Sequence, residues 1–228
     1  MTYQQYRFSF GYGLPPTIKK LMILMGMAYL LQELVSRMMV VYLGLVPGLV
    51  WYEYYLWQLV TYIFLHGDIS HLLFNLFALW MFGGELENFW GSRKFLGYFF
   101  FCGIGAGIST VVFTLLLTPQ YQVVPVIGAS GAIYGILLAF GWFFPNRPIM
   151  VYFLFPLPAK YFVIIFGFLE FIYFSRGGGG GISHVTHLGG LLFGLIYMAY
   201  PLVRQKVRRE YYKRKWSQKG PKDGGYYH

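Results

Sequence analysis

Residues 128–144 read GASGAIYGILLAFGWFF, seventeen residues without a charge. A run of that length and character is a candidate membrane span, since a helix needs about 20 predominantly apolar residues to cross a hydrocarbon core. Its first half is made of small residues, and Gly131 and Gly135 lie four apart. A small-xxx-small pair lets two membrane helices bring their backbones close together. Ser130 falls in the first turns of this helix, where backbone N–H groups have no intrahelical partner.

The rest of the chain has the same character. Of its 228 residues, 57% are apolar, 22% aromatic and only 11% charged, a composition unsuited to a soluble surface. Apolar runs over 19–37, 70–87, 95–117, 128–144, 149–173 and 184–203 predict six spans and an all-α, polytopic bundle. Leu21 to Val35 is read as a retained first helix and not a signal peptide, because Glu33 and Arg37 stand where a small-residue cleavage site belongs. Residues 1–16 form an N-terminal segment, 17–203 the bundle and 204–228 a basic tail. The segment 38–67 is too apolar for an aqueous loop and is expected to dip into the outer leaflet.

Lys and Arg near span ends are retained on the cytoplasmic side. With both termini inside, sixteen of the eighteen basic residues are cytoplasmic and only Arg37 and Arg176 are not. The basic inside tail and the small, single-bundle architecture lead to the expectation of a prokaryotic cytoplasmic membrane, with an organelle membrane as the alternative. The net charge of +10 resides mainly after Pro201, where seven Lys and Arg between Arg204 and Lys215 adjoin Tyr211, Tyr212 and Trp216. Such a segment suits anionic lipid head groups better than nucleic acid. Cys102 is the single cysteine, which excludes a disulfide framework or a thiolate metal site.

Polar side chains are costly inside a bilayer and are functional candidates there. They form three clusters: His66, His71 and Asn75 near the second span, Ser130 at the start of the fourth, and His184 and His187 at the start of the sixth. In the predicted topology all three open on the outer face and can share one site. Asp68 or Ser70 caps the second helix, and His71 and Asn75, four apart, lie on one of its faces. Gly190 and Gly194 form a second small-xxx-small pair, and His187 sits one turn before Gly190 on the same face. Close approach of the two glycine-bearing helices would present His187 to Ser130 as the base that a serine hydroxyl requires. His71, Asn75 and the Ser130 backbone N–H are the candidate oxyanion donors. Nothing in the spacing directs Glu33 or Glu170 at His187, so the expectation is a dyad without an acidic third member.

Competing readings are weaker. A metal site built from His66, His71, His184 and His187 would leave the glycine-rich serine turn unexplained, and His-Glu-x-x-His is lacking. Ala132 in place of a second glycine excludes the elbow of soluble hydrolases. Gly177 to Gly181 is read as an outer loop, since no strand precedes it and no Lys-Ser/Thr follows. A transporter or channel would use the intramembrane His and Glu as a proton path, and a non-catalytic binding module would lack Ser130 or His187.

Four segments resemble the rhomboid intramembrane serine proteases. His66-x4-His71-x3-Asn75, Gly128-Ala129-Ser130-Gly131 and His187-Leu188-Gly189-Gly190-x3-Gly194 are similar to that family's signature, nucleophile and histidine-helix motifs. Glu87 ahead of Gly91-Ser92 is similar to its Glu-x3-Gly-Ser turn. The resemblance covers about residues 17–203 and implies a minimal six-helix bundle with a cavity open to the outer face, no cofactor, no metal, and membrane-protein segments as substrates. It makes Ser130 the nucleophile and His187 the general base, with His71 and Asn75 as oxyanion donors. Tyr134 packs on the imidazole, His66, Gly128, Gly190 and Gly194 support the site, and span five serves as lateral gate. One departure stands out: the family commonly has Trp-Arg in its first outer loop, where this chain has Trp57-Gln58.

Overall fold

A computed structural model of the chain describes residues 13–35, 38–151, 155–176 and 181–218. Within them, helix α1 spans Pro16–Val35, and three short helices follow, α2 (Met38–Leu43), α3 (Pro47–Tyr52) and α4 (Gln58–Thr61). Helix α5 (Ile69–Ala78) runs through a π-turn (Leu79–Gly83) into α6 (Gly84–Trp90), and α7 (Ser92–Leu117) and α8 (Ser130–Phe143) come next. Strands β1 (Pro148–Val151) and β2 (Phe155–Pro158) pair antiparallel, with Pro148 opposite Pro158. Helices α9 (Ala159–Ser175) and α10 (Gly181–Gln218) complete the chain.

Among the described residues three continuous helices are long and apolar enough to cross a membrane, Ile69–Trp90, Ser92–Leu117 and Ile182–Pro201. Their outward faces are apolar, as are those of α1, where Met27, Leu30 and Leu34 are exposed, and of α9, where Ile164 and Phe168 are exposed. Such a surface is stable only where its solvent is hydrocarbon. The interior mixes large rings (Tyr62, Phe95, Tyr98, Phe99) with glycine and threonine. Helices α7, α8 and α10 form its centre, packed on one another more extensively than any other helices.

The glycine pairs account for that packing. A Cβ on Gly190 would lie 1.8 Å from the Gly131 carbonyl oxygen, and one on Gly135 would meet Cys102 Sγ at 2.5 Å. A Cβ on Gly194 would meet the Tyr98 hydroxyl at 2.7 Å. That hydroxyl donates to the Gly135 carbonyl at 2.7 Å. Cys102 is buried in this contact and does packing work.

Two expected boundaries are corrected. The fifth run, 149–173, is not one helix: its first part is the β1–β2 hairpin, and the helix begins only at Ala159. Pro148, Pro156 and Pro158 explain this, because each lacks a backbone N–H and clashes with a continuing helix. The sixth run does not stop at 203, since α10 continues past Pro201 to Gln218. Of the glycine loop expected at 177–181, only Gly181 is among the described residues, and the basic tail is described only as far as Gln218.

At one end of the bundle Glu87 joins distant segments. Its carboxylate accepts the Thr17 and Ile18 backbone N–H groups, each at 2.9 Å, and the Ser92 hydroxyl at 2.6 Å. These are first-turn N–H groups of α1, so Glu87 serves as that helix's cap from 70 residues away. Nearby, Arg147 bonds Glu85 at 2.8 Å.

Candidate active site

The opposite end holds the starts of α5, α8 and α10. Asp68 caps α5, its Oδ1 accepting the His71 N–H at 2.8 Å. Ahead of α8, Gly128 adopts φ +125°, a conformation that favours glycine. Its N–H donates to the Tyr62 carbonyl at 2.9 Å. A Cβ there would collide with His71, 2.7 Å from Cε1 and 2.8 Å from Nε2. Glycine therefore lets the His71 ring lie against the turn that carries Ser130.

Ser130 Oγ and His187 Nε2 are 2.8 Å apart. Their helices are brought together by the Gly131–Gly190 contact, one residue after the serine and one turn after the histidine. Tyr134, one turn along α8 from Ser130, stacks on the His187 ring with centroids 4.4 Å apart and planes 17° from parallel. Asn75 is buried, and its amide donates to the His71 carbonyl at 2.8 Å. His71 Nδ1 accepts the Gly67 N–H at 3.3 Å, which leaves Nε2 on the Gly128 side of the ring.

His66 is fully buried and stands edge-on to His71 at 5.1 Å. Gln32 of α1 donates to its carbonyl at 2.7 Å and accepts its N–H at 3.3 Å. Its place is a strut between α1 and α5.

Gln58 occupies the position of the departure from the Trp-Arg pattern, and it is fully buried. Its Oε1 accepts the Val46 N–H at 2.9 Å, and its Nε2 donates to the Val41 and Tyr42 carbonyls at 3.0 and 3.2 Å. Trp57 Nε1 also donates to the Tyr42 carbonyl, at 2.9 Å. A neutral amide thus ties the segment together where an arginine is commonly found.

The expected lack of an acidic neighbour is overturned. Glu170 of α9 reaches over the two imidazoles, with Oε1 3.0 Å from His187 Nδ1 and Oε2 2.6 Å from His184 Nδ1. Tyr134 also donates its hydroxyl to Oε1. The His187 contact is of ion-pair length, although Nδ1 makes no well-directed hydrogen bond. His184 is thus a partner of Glu170 as well. One signal was available: a carboxylate in an apolar run is costly unless it has a purpose.

Ligand atoms of Glu170, His184 and His187 lie within 4.8 Å of one another. Among the described residues this is the set that could hold a cation, and it differs from the four histidines weighed on sequence. Its carboxylate already receives the Tyr134 hydroxyl and the His184 ring. A hydroxyl on an imidazole, with the His71 ring against the same turn, is an arrangement suited to acyl transfer.

A rhomboid domain model matches residues 53–204, about two thirds of the chain. The protein belongs to the rhomboid family. Rhomboid protein 1, mitochondrial, of Saccharomyces cerevisiae is 31% identical over 153 residues, which cover 64% of this chain and 43% of that protein. Rhomboid protease GluP of Bacillus subtilis is 35% identical over 147 residues, 63% of this chain and 25% of its own. Rhomboid protease GlpG of Haemophilus influenzae is 27% identical over 169 residues, covering 74% of this chain and 82% of its own. The rhomboid chain here therefore matches less than half the length of the yeast and Bacillus proteins. Family and apolar helices together make it an integral membrane protein.

Proposed function

We propose that this rhomboid is an intramembrane serine endopeptidase that cuts transmembrane segments of other proteins. The observation that carries the reading is the 2.8 Å contact between Ser130 Oγ and His187 Nε2. It is supported by the names of two relatives, each a rhomboid protease. In this reading His187 Nε2 takes the hydroxyl proton as Ser130 Oγ forms a bond to the scissile carbonyl carbon. Negative charge moves to the carbonyl oxygen, where His71, Asn75 and the Ser130 N–H donate to it. The C–N bond then breaks as His187 returns the proton to the leaving amine. Water, deprotonated by the same imidazole, releases the acyl group.

Asn75 Nδ2 gives one N–H to the His71 carbonyl and has a second to offer the oxyanion. Helix α8 has 14 residues. At 1.5 Å per residue it is about 21 Å long against a core of about 30 Å. In this reading its serine end lies below the membrane surface, and water reaches it from the outer face.

The bundle of residues 17–203 has six spans with both termini cytoplasmic and the site open to the outer face, as the distribution of Lys and Arg indicates. Helix α9 is the lateral gate. The basic residues from Arg204 onward meet anionic head groups of a prokaryotic cytoplasmic membrane, and no cofactor enters the reaction. The test is cleavage of a purified single-span substrate in detergent. Wild type cuts near the outer end of the span, and undiminished cutting by Ser130→Ala would defeat the proposal.

A further inference from the structure

We propose that Glu170 is the positioning residue of the general base: its carboxylate faces His187 Nδ1 and fixes the tautomer in which Nε2 can accept the Ser130 proton. The inference rests on the protease reading above. It also goes beyond it, because that reading needs only a serine and a histidine.

An imidazole that accepts a proton at Nε2 must carry one at Nδ1. In a lipid-facing bundle the two tautomers are close in energy unless a partner at one nitrogen distinguishes them. Glu170 Oε1, 3.0 Å from Nδ1, is that partner. An ionised carboxylate can only accept, so it favours the proton at Nδ1 and leaves the lone pair of Nε2 facing Ser130 Oγ, 2.8 Å away. When Nε2 takes the serine proton, the imidazolium forms beside a fixed negative charge, in surroundings where the attraction is larger than in water.

Glu170 is itself held in place. It is 9% exposed. Tyr134 donates to Oε1, and His184 Nδ1 donates to Oε2 at 2.6 Å. Tyr173, on the same helix as Glu170, stacks on the His184 ring at 5.6 Å. Tyr134 meanwhile covers the face of His187. Carboxylate, phenol and two imidazoles thus form one network across α8, α9 and α10, and its centre is an acid on the helix assigned as the gate. The Nδ1 contact is not well aligned at rest. Catalytic hydrogen bonds commonly tighten only once substrate is bound.

The experiment uses the full chain purified in detergent, with three readouts on wild type, Glu170→Gln and Glu170→Asp. The first is the 15N spectrum of histidine-labelled protein, in which wild-type His187 should show a protonated Nδ1 and an unprotonated Nε2. The reverse tautomer in wild type overturns the inference without recourse to any variant. The second is steady-state cleavage of a single-span substrate. Glu170→Gln keeps the shape of the side chain but removes its charge and turns one acceptor oxygen into an NH2 donor, and should lower kcat at least about 10²-fold with KM nearly unchanged. Glu170→Asp keeps the charge one methylene further back and should recover part of that loss. Wild-type kcat in Glu170→Gln would leave Glu170 as a helix tether only. The third is fluorophosphonate labelling of Ser130 in wild type. Labelling with an unaffected Glu170→Gln variant refutes the positioning role alone, whereas absence of both labelling and cleavage in wild type refutes the protease reading and this role with it.

Discussion

Replacing Gly190 by alanine perturbs the site through packing alone, since Gly190 touches no reacting group. The added methyl would stand 1.8 Å from the Gly131 carbonyl oxygen and 2.8 Å from its carbon, where ordinary contact begins at 3.4 Å. Helices α8 and α10 must therefore separate by about 1.6 Å, because a backbone carbonyl in a close-packed interior has no rotamer with which to yield. Half of that movement, passed to the Ser130–His187 pair, stretches 2.8 Å beyond the about 3.2 Å at which a base can take the proton. Misplacement by about 1 Å costs about 10²-fold in rate, and overpacking costs about 1–3 kcal/mol of stability. The assay is cleavage of a single-span substrate in detergent beside a thermal unfolding curve, with Gly97→Ala as control because nothing lies within 4 Å of its Cβ position. Gly190→Ala should lose at least about 10²-fold in rate while Gly97→Ala loses none. A Gly190→Ala protein with wild-type rate and melting temperature would refute the account of how the two helices assemble the site.

Three further outcomes are expected. Asn75→Ala should lower kcat about 10²-fold with little change in unfolding temperature, because its amide has a second N–H to offer the developing oxyanion; steady-state kinetics checks this. Gln58→Ala leaves the buried Val46 N–H without an acceptor and should cost about 2–3 kcal/mol, read as a lower melting temperature and faster proteolysis between residues 38 and 67. Glu87→Ala removes the acceptor of two first-turn N–H groups and should cost about 2–4 kcal/mol, while Glu87→Gln, which keeps one oxygen, should cost less by the same unfolding measurement.

Much of the site is legible in the sequence because its parts obey local rules. The glycine spacings of α8 and α10 specify which faces meet, and His187 lies on the same face as Gly190, so the Ser130–His187 contact follows from helical periodicity. Asp68 can be read as a cap from its position ahead of an apolar run. Glu170 could not be paired in this way. It lies 14 residues before His184 with a run of glycines between, and periodicity says nothing about how one helix faces the next. Intramembrane cost marks it as important without naming its partner.

The hairpin at 148–158 was hidden for a different reason. Its residues are as apolar as those of α9, so hydropathy carries the span straight through, and only the spacing of its prolines argues for a break. Gln58 shows the limit of reasoning from a family pattern. An arginine's absence predicts a lost anchor, yet an amide with one acceptor and two donors satisfies three backbone groups of the same segment. Glu87 caps a helix far away in sequence, a relation that the Glu-x3-Gly-Ser resemblance flags but local reading cannot explain.

The central claim is that Ser130 is a nucleophile because His187 activates it. It is tested most directly by reacting the purified chain with a fluorophosphonate and mapping the adduct by mass spectrometry. The account predicts a single adduct on Ser130 in wild type and none at matched times in His187→Ala. An adduct that forms equally fast without the imidazole, or that maps to another residue, would contradict it.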